Sequence, residues 1–337
     1  MILYKIMKKT FLIINLLFAS TFMLAQQVQD SVQNKSIIKI KEKFPRTRVL
    51  NFEYNQSLDR SFDSELLGEN FGEGNIKSQK NFTASANILL YKKAKWMLLS
   101  SSTYKFTEFK FENLTNDSPA IFEQDGTVNF HYFSTGLTSI NFSTLFKKPV
   151  IYNSSIYVDG NNDGFQRIKG SVGFSLFLKR SKSKTIGIGL QAFIDPTVLI
   201  PVIPIFIYNQ KFNNSKWELD AVIPRYLFFR RSIGENGRLS LGSTFGSSGF
   251  YIDVNNQSFA DVFNYSQLSV KTGIMYEHRI NDYLITTFRG GLQSPLNNRL
   301  TQKSKPASDY IYENTQGSTG YFQLGISIDP FAKKKSN

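Results

Sequence analysis

The feature that most constrains this chain is a period of two that recurs from Arg46 to Asp329. Between Asn264 and Arg279, the residues Leu268, Val270, Thr272, Ile274 and Tyr276 fall on one face. Gln267, Ser269, Lys271, Gly273, Met275, Glu277 and Arg279 fall on the other. A helix would space its apolar residues three and four apart, and that spacing fails here. The pattern is a strand with one oily and one charged face. Leu50, Phe52 and Tyr54 alternate in the same way with Asn51, Glu53 and Asn55. Phe82, Ala84, Ala86, Ile88 and Leu90 stand opposite Thr83, Ser85 and Asn87, and Phe322, Leu324, Ile326 and Ile328 interleave with Gln323, Gly325, Ser327 and Asp329.

The strands are long. Soluble strands cluster near about 5–6 residues, whereas a tilted strand crossing a bilayer needs about 9–11. Trp96 to Phe111, Thr127 to Phe146 and Leu268 to Arg279 all exceed the first figure. In hydrocarbon every backbone amide must be paired, and an open sheet leaves two unpaired edges, so such strands must close on themselves. The expected fold class is therefore all-β, a transmembrane antiparallel up-and-down barrel over residues 46–329. Its oily faces meet lipid and its wet faces line a lumen. A secreted β-sandwich is the rival, with its oily face inward and shorter strands.

Connections alternate too. Short turns (Lys92 to Lys95, Lys147 to Pro149, Ser181 to Lys184, Asn213 to Ser215, Glu235 to Gly237, Asn281 to Asp282) take turns with long links. The long ones are Ser57 to Asn75, Glu112 to Gly126, Asp159 to Gln166, Pro196 to Pro204, Asp253 to Phe263 and Gln293 to Gly317. Counting between them gives about fourteen strands. The pair flanking Pro224 is the weakest, so twelve and sixteen stay open. Tyrosines near strand ends, among them Tyr91, Tyr132, Tyr152, Tyr276 and Tyr321, suit interfacial girdles.

Composition removes other classes. A chain with 31 Phe and 16 Tyr in 337 residues is too apolar to stay disordered. Past residue 25 no apolar run approaches the ~18–20 residues of a membrane helix. The absence of Cys excludes disulfides and thiolate metal sites. Residues 1–25 read as a signal peptide, with Lys5, Lys8 and Lys9 before an apolar stretch from Phe11 to Leu24, and Met7 serves as well as Met1 for a start. Residues 26–45 read as a periplasmic lead-in, and 330–337 as a basic tail with Lys333, Lys334 and Lys335. Without the signal the chain carries 37 basic and 26 acidic residues, a net of +11. The address is the outer membrane of a Gram-negative bacterium.

Arg46-Thr47-Arg48-Val49-Leu50 with Tyr54 and Gln56 opens the patterned region. Asp159-Gly160 is followed by Gly164-Phe165-Gln166-Arg167-Ile168-Lys169-Gly170. Further on stand Phe193-Ile194-Asp195-Pro196, Ile200-Pro201, Ile203-Pro204 and Glu235-Asn236-Gly237-Arg238-Leu239-Ser240-Leu241. In these stretches the chain resembles an uncharacterised family of bacterial outer-membrane β-barrel proteins, known only as a domain of unknown function. The resemblance covers most of the chain after the signal. It implies an integral outer-membrane barrel and supplies no mechanism. The chain departs from the general outer-membrane pattern of an aromatic at the last strand residue, because Pro330, Phe331 and the basic tail follow.

Chemistry has few candidates. Asp159-Gly160-Asn161-Asn162-Asp163-Gly164 has the first half of a calcium loop, but the twelfth position, a bidentate Glu in an EF-hand, is Gly170. A looser surface calcium site competes with a plain turn, and no metal or cofactor is expected. His131 shares parity with Asn129 and Thr135, which reads as inward. His278 shares parity with Tyr276 and Ile274, which reads as lipid-side. Neither has a local Ser or acid partner, so no catalytic residue and no enzyme is expected, although a lipid-modifying role on His131 is one rival. The basic surplus is scattered, which together with export argues against nucleic acid. Outer-membrane lipid, lipopolysaccharide phosphates and the barrel-assembly machinery are the expected partners, with a small solute besides.

The lumen collects Glu53, Lys105, Glu218, Asp220, Lys271, Glu277 and Arg289 by parity. Mixed charges on facing walls read either as a ladder of ion pairs bracing a plugged barrel or as a pore that tunes selectivity. The favoured expectation is a porin-like pore or small-solute transporter without catalysis. The alternative is a closed structural or adhesion barrel whose long loops, Gln293 to Gly317 above all, bind a partner. The apolar Ile200 to Pro204 is expected to fold over a mouth or inward as a partial plug.

Overall fold

The computed structural model describes residues 44–45, 47–115, 125–198, 200–213, 215–254 and 262–332. The signal peptide, nearly all of the lead-in, Arg46 and the Lys333–Lys335 cluster lie outside them. The described residues are all β, with no helix among them.

Two strand segments at each end of the chain make one continuous strand apiece. β1 (Leu50–Ser57) and β2 (Arg60–Leu66) both pair antiparallel with β3 (Glu69–Lys93). β15 (Tyr310–Gln316) and β16 (Thr319–Ile328) both pair with β14 (Leu284–Gln302). Between β3 and β14 the chain runs up and down through β4 (Trp96–Glu112), β5 (Gly126–Leu145), β6 (Lys148–Asn161), β7 (Gly164–Arg180) and β8 (Lys184–Ile194). It continues through β9 (Val202–Lys211), β10 (Trp217–Ile223), β11 (Tyr226–Ile233), β12 (Gly237–Asp253) and β13 (Val262–Arg279). The sheet closes where β1 meets β16 and β2 meets β15. Taking β1–β2 and β15–β16 as single strands gives a closed antiparallel barrel of fourteen, as the alternation predicts. Leu50 and Ile328 share one end, called here the terminal end.

Alternation sorts the faces. Phe52, Leu137, Ile188, Leu227, Ile274, Phe288 and Leu324 are all exposed on the outer wall, where a soluble protein would bury residues of their kind. Ser57, Gln79, Asp220, Ser240, Glu277 and Gln293 are buried on the inner wall. Parity then slips along a line. Ser57 and Arg60 both point inward although three residues apart, and so do Gln316 and Thr319. β14 slips at Leu296, opposite Leu268 and Ser269, and β3 slips at Lys77. Extra residues of this kind bend strands and re-aim the side chains beyond them. At and past the line the outer wall of β2–β4 carries charges, Lys77 3.1 Å from Asp59 and Lys110 2.7 Å from Glu112, with Lys80 2.8 Å from Glu108 just on its terminal side.

The far end is filled. The tip of β12 is buried on both faces, with Phe250, Tyr251 and Ile252 at 4%, 2% and 4% exposure, and the start of β13 is buried likewise at Phe263, Asn264 and Tyr265. The β12–β13 hairpin therefore leans into the barrel instead of standing in its wall. Phe250 stacks on Phe130 of β5 with centroids 4.1 Å apart. Phe62, Ile76, Phe109, Phe111, Leu300 and Tyr312 complete this apolar core. The connection after β14 also bridges inward, where the Ala307 amide donates to the Pro196 carbonyl at 3.1 Å.

These contacts correct the expected long links. Ser57 to Asn75 is a hairpin of β2 and β3 that turns at Leu67-Gly68, with both residues at positive φ. Gln293 to Gly317 is mostly strand, leaving only 303–309 as a connection, and Asp159 to Gln166 shrinks to a turn at Asn162-Asp163. Asn, Gly and Ser made these stretches look like loops, but their alternate residues Phe62, Leu300 and Tyr312 seal the core, and packing overrides propensity. The 200–204 stretch does not plug either mouth: Ile200 and Val202 are exposed on the outside. Most of the links 113–125 and 254–261 lies outside the described residues.

Candidate functional site

The inner wall carries its charges in three groups. At the terminal end Glu277 of β13 is buried between two arginines, Arg48 at 2.6 Å on Oε1 and Arg238 at 2.6 Å on Oε2. Arg48 belongs to the segment that enters β1, so this carboxylate ties the chain's entry to the wall three strands away at the mouth. Phe44, itself buried, lies beneath the Arg238 guanidinium at 4.7 Å. On the adjacent strands Asp220 binds Arg230 at 3.0 Å, and Glu218 faces Arg230 and Lys211 in register. Charges taken from water at this depth are costly unless they are paired.

The second group sits on the side wall towards the far end. Asp159 of β6, its side chain fully buried, accepts hydrogen bonds from the Tyr132 hydroxyl at 2.9 Å and the Tyr251 hydroxyl at 2.8 Å, and binds Lys169 at 2.5 Å. Asp195 holds Arg167 at 3.1 Å, and Arg167 also donates to Thr197 at 2.7 Å. Tyr251 is on the inward-leaning tip, so Asp159 clamps that tip to the wall.

The third group is in the middle and is built differently. One register row crosses five strands: Phe228, Gly242, Gly273, Gly291, Tyr321. The three glycines leave a trough of bare backbone between two aromatic rings. An added Cβ at Gly291 would come 2.0 Å from the Thr272 carbonyl oxygen, so the close strand approach requires glycine. Arg289 lies over the trough, 5.8 Å from the Phe228 centroid and 5.6 Å from that of Tyr321. It donates to Thr244 Oγ1 at 2.8 Å and to the Lys271 carbonyl at 2.9 Å. Lys271 sits over Tyr321 at 5.0 Å and reaches Asn55 at 3.1 Å. Lys105 faces Tyr132 at 5.8 Å. Arg60 closes the group towards the far end, held by neutral amides only, Gln316 at 2.7 Å and Gln79 at 2.5 Å. None of these four cations has an ion pair among the described residues. The carboxylate whose field reaches Lys271 and Arg289 is Glu53.

The structure thus places Lys105, Lys271, Arg289 and Glu53 around one space. Glu277 is ion-paired at the terminal end. Asp220, in register with Phe228 beside the glycine row, is ion-paired with Arg230, and Glu218 faces Arg230 and Lys211 across the strands. Sequence reasoning did not name Arg60, Arg230, Arg238, Arg167 or Lys169 as lumen charges, and it read Asp159 as part of a calcium loop. Arg60 was hidden in an apparent loop. Tyr132 and Tyr321 are corrected from girdle to lumen, and parity held the clue: Tyr321 alternates with Gln323 and Ser327, and Tyr132 with Ser134. His131 is likewise corrected to the outer wall, in register with Phe106, its Nδ1 3.0 Å from the Tyr104 hydroxyl. His278 is on the outer face beside Tyr276, 3.1 Å from its hydroxyl. The calcium reading fails on geometry. Asp159 is spent on Lys169 and two tyrosines, and Asn161 turns its amide N–H towards Asp253 at 2.5 Å, a donor where a cation would need an oxygen. No group of three His, Cys, Asp or Glu suited to a metal occurs among the described residues.

The fold is thus that of a fourteen-stranded barrel with a charged interior. No family model and no curated protein matches the chain. Among solved structures it is similar to an outer membrane channel from Pseudomonas putida F1, with 8% identity, 89% of this chain and 100% of that one covered, and a TM-score of 0.38. A FadL homologue from Pseudomonas aeruginosa gives 9% identity over 85% and 91% at 0.38. The β domain of the Bordetella autotransporter BrkA gives 7% over 84% and 100% at 0.31. These likenesses carry no argument about activity.

Proposed function

We propose that this chain is an integral outer-membrane barrel that takes a small solute into its lumen, with passage closed at the far end by the β12–β13 tip. The observation that carries the reading is the reversal of the usual burial pattern: large apolar side chains such as Phe288 and Ile274 stand exposed on the outer wall while arginines and carboxylates are buried within. Exposed apolar surface wrapped round a closed sheet fits lipid. The wet interior then serves a solute, and no step of this reading needs a catalytic residue. Lipid and lipopolysaccharide outside, and the assembly machinery during insertion, are the partners it implies. Membership of the uncharacterised family belongs to the same proposal.

Planar bilayers test it. The intact protein is expected to conduct rarely. A variant in which residues 250–263 are replaced by a two-residue Asn-Gly turn is expected to show steady steps. The filled far end favours one second reading, a closed structural barrel. Silence from both proteins, with no solute flux in liposomes, would establish that reading instead.

A further inference from the structure

We infer that the middle of the lumen is a binding site for a small oxyanion, a carboxylate or phosphate, held by Lys271, Arg289 and Lys105 over the glycine trough. The inference deepens the solute-uptake reading and rests on the lumen it describes. Elsewhere in the interior charges are matched: Glu277 with Arg48 and Arg238, Asp220 with Arg230, Asp159 with Lys169, Asp195 with Arg167. Among the described residues, Lys105, Lys271, Arg289 and Arg60 gather in the middle without an ion pair, with Glu53 as the carboxylate whose field reaches Lys271 and Arg289. Burying unpaired charge is costly, and four like charges facing one space add mutual repulsion. Glu53 offsets one of them and makes no ion pair with any.

Hydrogen-bonding capacity is also left over. Arg60 and Arg289 are 4% and 8% exposed, yet Nη1 of the first and Nε of the second have no partner. Lys105 makes no hydrogen bond among the described residues and meets only an aromatic face. An oxyanion supplies what is missing, since its oxygens accept several N–H bonds at once and its charge relieves the repulsion. The glycine row brings the backbones of β12, β13 and β14 close together, so the wall beneath Lys271 and Arg289 carries no side chain that would stand between them and an anion. A neutral sugar or a cation would leave the surplus charge uncompensated.

The test reads binding, not passage, so that it stands apart from the conductance experiment. Full-length protein is refolded in zwitterionic detergent without lipid. Its unfolding midpoint is followed by the gel shift between unheated and boiled samples, with inorganic phosphate titrated against chloride at constant ionic strength. Phosphate is expected to raise the midpoint. Lys271→Gln and Lys105→Gln should each weaken the apparent affinity about tenfold, the cost of one charge-assisted contact. Glu53→Gln should strengthen it, and Lys80→Gln on the outer wall should change nothing. Arg289→Lys, which keeps the charge, guards against a misfolded Gln variant. No response to phosphate, an equal response in the lumen variants, or a response only to anionic lipid micelles would overturn the site. Conductance without phosphate binding sinks the site alone, and phosphate binding without conductance sinks the transport reading alone.

Discussion

The two halves of the barrel interior solve the same problem in opposite ways. Towards the far end an apolar core fills the lumen beside the charged Asp159 and Asp195 cluster of the side wall, and the tip of β12 leans in so that Phe250 meets Phe130 and Tyr251 meets Asp159. There the lumen is closed as a soluble protein closes its centre, by aromatic packing. Towards the terminal end the inner wall carries ion pairs and leaves a cationic middle unmatched. The outer walls differ too: oily around the terminal half, and charged near the far end in the β2–β4 sector, whereas Phe165 and Ile168 keep the outer face of β7 oily there.

The comparison can be broken at its strongest point first. Phe250→Ala removes a ring stacked in the far core, and truncations of this kind cost about 3–5 kcal/mol. We expect a clear fall in the urea midpoint of detergent-refolded protein, and conductance steps absent from the parent. A lower midpoint with a silent bilayer would show that the tip stabilises the barrel without gating it. Glu277→Gln comes next. It leaves Arg48 and Arg238 buried without their carboxylate, a loss of about 2–3 kcal/mol, read from the same midpoint. Faster proteolysis near residues 44–48 should accompany it if this carboxylate holds the entering segment.

Smaller again is Gly291→Ala. Its Cβ would press on the Thr272 carbonyl, and the strand must shift at a cost of about 1–3 kcal/mol. Phosphate binding should fall with it, whereas a variant that binds phosphate normally would show that the trough is only a packing feature. Smallest is Lys80→Gln, which removes an exposed ion pair with Glu108. Such pairs contribute little, so no change in midpoint or conductance is expected.

Much of this was legible in the residues. Phe52 against Glu53 and Ile274 against Lys271 assign faces directly, because the pleat sends neighbours to opposite sides whatever the rest of the chain does. The seven charges expected in the lumen are named on that ground alone. Arg60 could not, since Leu58-Asp59 reads as a break, when in fact it shifts the parity and lets β2 continue inward. Phe62 and Tyr312 looked like loop residues because they fall in the stretches Ser57 to Asn75 and Gln293 to Gly317 that read as long links. The surplus of cations in the middle was hidden until Asp159, Asp195, Asp220 and Glu277 were each found attached to a partner elsewhere.

What the sequence determined by itself was the strand, its two faces, the strand number and the closed sheet, all of which follow from a local period and the need to pair every backbone amide. What only the tertiary structure decided was how the interior is occupied: which charges neutralise each other, which are left over, and that the end of β12 and the start of β13 pack into the far core. The physical reason is that alternation is written between neighbours, whereas partners across a lumen are strands apart in sequence. They meet only where closure, bulges and the lean of one hairpin bring them together.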